Sequence, residues 1–158
     1  MPKPLDQFGG WLKFFYVILW IGAVSLIVVS VLIGFALFTE GSMLEKRIMA
    51  ISLVELSVTT VLIIKILRLV KTKQPDVPTQ IFRLMVVVVL VALSFGAIEG
   101  IVLYLANGFE GLKELKDTGK GILSNLTSFA IWSSYFMTSK RVRAYYGDVA
   151  WVSKKQGA

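Results

Sequence analysis

The chain has 158 residues, 56% of them hydrophobic and 17% charged, with a net charge of +7 at neutral pH. Its apolar residues gather in blocks of about 20 or more, long enough to cross a hydrocarbon core about 30 Å thick, which argues against a soluble fold. Cysteine and histidine are both absent, so disulfides, thiolate nucleophiles, imidazole bases and most zinc, copper and haem sites are excluded.

The first apolar block covers residues 11–38 and opens with Trp11, Phe14, Phe15, Tyr16 and Trp20, aromatic residues suited to a headgroup boundary. It is too long for a signal peptide and no small-x-small cleavage site follows it. The second block, 48–70, contains Glu55 and closes on Lys65, Arg68 and Lys71. "KTKQPDVPTQ" then reads as a tight loop, with Pro78 and Thr79 in the first turn of the next helix. The third block, 81–106, holds Glu99 within "SFGAIEGIVLYLAN".

The polar, glycine-punctuated "NGFEGLKELKDTGKG" has room for a short turn of helix. The fourth block, 121–139, has the length of a span but is rich in hydroxyl and amide groups. Ser124, Thr127, Ser128, Ser134, Tyr135 and Thr138 share one side at helical spacing, a stripe expected to face other helices and not lipid. "GDVAWVSKKQGA" is expected to be a disordered or membrane-adsorbed tail. The predicted fold is an all-α bundle of four transmembrane helices forming a single domain, residues 1–158.

Charge sets the expected orientation. One side of the predicted topology collects Lys3, Lys13, Lys65, Arg68, Lys71, Lys73, Arg83, Lys140, Arg141, Arg143, Lys154 and Lys155. The other side holds only Lys46, Arg47, Lys113, Lys116 and Lys120. The positive-inside bias places both termini in the cytoplasm. The net positive charge is then mostly a topology signal, and anionic lipid headgroups are the expected partners in place of nucleic acid. Trp11, Arg68, Lys71, Lys73, Arg83, Trp132, Tyr135, Arg141 and Arg143 are the expected interface residues.

Within the spans, Glu55 and Glu99 fall at a similar depth from the outer helix ends, about 12 Å in. Asn125 enters from the same side, and Ser52 and Thr59 flank Glu55, giving an expected intramembrane polar cluster. A carboxylate near mid-membrane costs at least about 2.5–3.5 kcal/mol on insertion scales, so such a group faces the bundle interior or a water cavity. Gly96 and Gly100 surround Glu99 as a small-xxx-small pair that allows close helix approach. Interhelical hydrogen-bond glue is the plainer reading of the carboxylates, and a proton or cation path is the functional one.

"NLT" at Asn125 matches a glycosylation triplet but lies within a predicted span. The sequence has no phosphate-binding glycine loop, nucleophile elbow or metal-ligand cluster, so no enzyme, cofactor or metal is expected. Two end segments carry a resemblance: "GGWL" at Gly9–Leu12 and "WSSYFMTSKRV" at Trp132–Val142. With the four-span layout they resemble a YdgK-like bacterial inner-membrane family of unknown function. Trp132, Tyr135, Phe136, Ser139, Arg141 and Val142 match its ending. The resemblance implies a bacterial inner-membrane location and brings no activity. The expected function is a small non-catalytic membrane protein, lipid-binding or a partner subunit, with a possible homo-oligomer. The alternative is a proton- or cation-coupled carrier or oligomeric channel using Glu55 and Glu99.

Overall fold

A computed structural model describes residues 8–39, 41–110 and 116–147. Among these, all regular structure is helical: α1 (Trp11–Phe38), α2 (Met43–Val70), α3 (Val77–Asn107), α4 (Lys116–Thr138) and a short α5 (Lys140–Tyr146). The tail beyond residue 147 and residues 111–115 of the third connection lie outside the described residues.

α1 carries no charge after Lys13 and is apolar on every side, as expected of a helix surrounded by lipid. Most of it is exposed in the isolated chain, Phe35 and Phe38 extensively so. It begins at Gly10, whose φ of +56° lies in the left-handed region that favours glycine. Phe14 N–H donates to Gly10 O at 3.1 Å to start the helix.

α2 starts at Met43, earlier than the block at 48 suggests. The reason is a capping box: Ser42 Oγ accepts from Glu45 N–H at 3.2 Å, and the Glu45 carboxylate accepts from Ser42 N–H at 2.6 Å. Two otherwise orphaned donors are satisfied together, which extends the helix through the polar residues Lys46 and Arg47. α3 starts with Pro78 in its first turn, as expected. It ends at Gly108, where φ is +60° and the N–H donates to Tyr104 O at 2.8 Å.

α1, α2 and α3 are long and apolar enough to cross a membrane. α4 has the length but is too polar for that description, so the structure supports three of the four expected spans on apolarity. The fourth block also begins five residues earlier than expected and stops at Ser139, whose Oγ accepts from Val142 N–H at 3.4 Å and starts α5.

The helices pack mainly on their neighbours in sequence, α1 on α2, α2 on α3 and α3 on α4. The buried core gathers at one end, here called the base. There the start of α1 (Leu12, Phe15) meets the end of α2 (Ile66, Val70) and the start of α3 (Val77, Ile81). The end of α4 (Phe136) and α5 (Val142, Tyr145, Tyr146) complete it. Phe15 is the hub, with its ring centroid 4.5 Å from that of Trp132 and 5.1 Å from that of Phe136. Aromatic pairs at such spacing add about 0.5–1.5 kcal/mol beyond area burial.

α5 closes the base by serving the end of α2. Tyr146 Oη donates to Val70 O at 2.7 Å and Tyr145 Oη to Lys71 O at 3.3 Å. Thr72 N–H donates to Leu69 O at 2.8 Å, and Thr72 Oγ1 to Arg68 O at 3.2 Å. Terminal carbonyls that an α-helix leaves without intrahelical partners are thereby satisfied.

Candidate functional site

Polar groups occupy three levels along the bundle. The outermost joins α2 to α3, where Ser52 Oγ donates to Glu99 Oε1 at 2.8 Å. Glu99 is only 8% exposed, on a buried α3 face with Ala92, Gly100 and Leu103, and Gly96 is half-buried beside it. Matched depth in the sequence paired Glu55 with Glu99, but Ser52 is the residue that sits opposite Glu99. Glu55 lies three residues toward the base, about 4.5 Å along the axis. It is half-buried and within electrostatic reach of Glu99. Thr59 is half-buried, and no hydrogen bond links it to either carboxylate among the described residues. Among those residues, no group of three or more acidic side chains is arranged to hold a metal ion. Chemically this level is a hydrogen-bonded packing joint with a second acid beside it.

Asn125 does not join this cluster. It lies on α4 in a cleft of about 160 Å³ to which all four long helices contribute, among them Ile18, Ile63, Val88, Val89 and Ser128. Val88 and Val89 are ten or eleven residues from Glu99, so Asn125 sits about 16 Å nearer the base. The sequence estimate failed because α4 begins at Lys116 and runs deeper beside α3, with Phe129 reaching Phe82 at 5.7 Å.

The outer half of α4 also departs from expectation. Ser124, Asn125, Thr127 and Ser128 are exposed, with Asn125 and Ser128 at the edge of the cleft. Thr127 and Thr138 turn their hydroxyls back onto Leu123 O and Ser134 O of the same helix, at 2.8 and 2.7 Å. Ser124, Asn125 and Ser128 make no side-chain hydrogen bond among the described residues. Among the described residues, the side chains of α4 that turn inward begin at about Phe129 and include Trp132, Ser133 and Phe136.

The third level is the basic rim at the base. Lys65, Arg68 and Arg83 line an open groove of about 470 Å³ between α2 and α3, together with Gln80. Lys71 Nζ lies 4.6 Å from the centre of the Tyr16 ring, and Lys73 Nζ 5.7 Å from that of Tyr145. Arg141 lies over Gly10, where a Cβ would come within 3.4 Å of Nε. Arg143 donates from Nη2 to Thr138 O at 3.4 Å. Trp11 is exposed and Trp132 half-buried, their ring centroids 6.4 Å apart. Trp132 and Tyr135 pack against the core, and the Tyr135 hydroxyl is buried without a partner among the described residues.

The two segments that carried the resemblance, near the chain ends, therefore meet in space. A family model described as a protein of unknown function, DUF2569, matches residues 5–146. The chain belongs to the DUF2569 family. Searches of curated proteins and of solved structures find no match to it. Membership is broader than the likeness of the two end motifs and brings no activity, helix count or narrower name. In this DUF2569 chain the matched region spans all three polar levels and ends with α5. Sequence reasoning missed α5 as an element, although Ser139 followed by "KRVRAYY" offers a cap and a run of helix-compatible residues.

Proposed function

We propose that the protein is a small non-catalytic integral membrane protein that acts as an assembly subunit, docking a transmembrane helix of a partner against the outer half of α4. In this reading α4 is a fourth span and both termini lie on the cytoplasmic side of a bacterial inner membrane. One observation carries the reading: Asn125 presents an amide with no partner among the described residues at the mouth of an apolar cleft, flanked by exposed Ser124 and Ser128. Hydrocarbon offers such groups no hydrogen bonds, and each one left unsatisfied costs several kcal/mol. Small and hydroxyl-bearing residues are the usual material of interhelical contacts in membranes. A facing helix with small residues and one hydrogen-bonding side chain would satisfy both needs.

The test is purification in native lipid discs, identifying co-purifying chains for wild type, Asn125→Leu, and Phe35→Ala on lipid-facing α1. A stoichiometric membrane protein or second copy that is lost in N125L and retained in F35A supports the subunit reading. A wild-type chain that is monomeric and alone overturns it. A carrier or channel built on Glu55 and Glu99 is less well supported, because Ser52 occupies Glu99 and the carboxylate is almost shut from the surface. Liposome flux abolished by Glu99→Gln would reverse that preference.

A further inference from the structure

We infer that α1 and α2 form a site for one anionic phospholipid of the leaflet at the base, with its phosphate over Arg68 and an acyl chain along the α1/α2 groove. Arg68 lines two grooves at once. On the α3 side it faces the groove with Lys65, Gln80 and Arg83. On the α1 side it heads a second groove of about 420 Å³, walled by Tyr16, Trp20, Val24, Ile27, Ile64 and Leu67, with Lys71 beside it. Among the described residues no carboxylate pairs with Lys65, Arg68 or Arg83. Cations without acidic partners therefore converge at the boundary depth, above a wall that is aromatic first and aliphatic further in.

The wall has the length of a lipid chain. Ile27 also lines a further groove with Ser30, Val31, Ser57 and Thr60, which continues the channel outward. From Lys71 to Ser57 is fourteen residues of α2, about 21 Å. One leaflet's hydrocarbon is about 15 Å deep, so a chain that starts at the rim is accommodated along its whole length. The Trp20 indole N–H donates to Tyr16 Oη at 2.8 Å, and Lys71 lies over the same Tyr16 ring. The groove's polar end is thus already ordered around Arg68. A soluble phosphate compound would use the cations and leave the apolar wall unused. A zwitterionic lipid would use the wall and gain less from the three cations. An anionic phospholipid uses both, and basic pockets between transmembrane helices are suited to such headgroups. The assignment does not depend on how α4 is covered.

The test is native mass spectrometry of the protein loaded with phosphatidylglycerol, with phosphatidylcholine, or with inorganic phosphate alone. One phosphatidylglycerol should be retained in preference to phosphatidylcholine. Arg68→Gln should lower retention about fivefold, the share of one basic residue near a surface. Ile27→Trp, which fills the apolar groove and leaves every cation in place, should also lower it, and Arg47→Gln at the opposite end should not. Circular dichroism confirms helix content in each variant. Equal retention of phosphatidylcholine, or retention unchanged in both R68Q and I27W, overturns the site. Competition by millimolar inorganic phosphate that leaves I27W without effect reassigns the cations to a soluble phosphate ligand and also overturns the lipid assignment. Partner loss in Asn125→Leu with lipid retention intact would show that the two sites are separate.

Discussion

At the scale of single residues, the Ser52–Glu99 pair joins α2 to α3. Removing one hydroxyl there deletes one interhelical hydrogen bond, which in membrane proteins averages about 0.6 kcal/mol and reaches about 1.7 kcal/mol. Ser52→Ala should therefore destabilise the protein by about that amount in denaturant titration from detergent. Glu99→Gln should cost less, because its amide oxygen still accepts from Ser52. A larger loss in Glu99→Gln than in Ser52→Ala would mean that the charge, and not the hydrogen bond, holds the joint. Tyr146 provides the pH dependence. Burial, with the neighbouring Tyr145 and Tyr135 contributing, pushes its phenol above the ordinary tyrosine value of 10.0. The folded state then favours the protonated form, so its contribution is complete below about pH 10 and is lost as the pH climbs beyond that. Docking of α5, followed by hydrogen exchange at Val70 and Lys71, should be flat through the neutral range and weaken only in strong alkali. The sequence disclosed that Glu99 needed an interior partner but not which one, because a three-residue difference in register exchanges Glu55 for Ser52.

At the scale of elements, the ends of the helices follow local chemistry and their faces follow packing. The Ser42–Glu45 capping box fixes the start of α2, and Ser42→Ala should cost about 1 kcal/mol, the usual value of an N-cap. Thermal unfolding in detergent checks this, and no change would mean that tertiary contacts alone set the boundary. The three long apolar helices were legible because continuous hydrophobic runs report directly on length. The polar fourth helix was legible in position but not in partnership: its hydroxyl stripe is on one side, as spacing indicates, yet the described residues leave its outer half exposed. Periodicity identifies which residues share a face and carries no information on what that face meets. α5 escaped detection because seven residues are too few to leave a periodic pattern.

At the scale of the whole molecule, the bundle is gathered at its base, where the start of α1 meets the end of α4 and α5. Gly10 sits beneath Arg141, Leu12 and Val142 share the core, and Trp11 approaches Trp132. Gly10→Ala places a side chain in the left-handed region at a cost of about 1–2 kcal/mol, and it should loosen α1 from α5 more than from α2. Disulfide trapping between introduced cysteines at positions 12 and 142 would follow that separation. The motifs near the two ends of the chain therefore have a structural meaning that neither carries alone, which is why each looked like an ordinary interface anchor in the sequence. The core of the base is closed by aromatic packing and by the Tyr145 and Tyr146 hydroxyls, whereas among the described residues the outer half of α4 leaves hydroxyl and amide groups exposed. The subunit reading rests on that asymmetry.

The most direct measurement is photo-crosslinking in intact membranes from an unnatural amino acid at position 125, compared with one at position 35 on lipid-facing α1. Position 125 should yield one discrete protein adduct, a second copy of this chain or a distinct membrane protein, while position 35 yields lipid adducts. Lipid adducts alone from both positions would contradict the account and return α4 to an unpartnered helix.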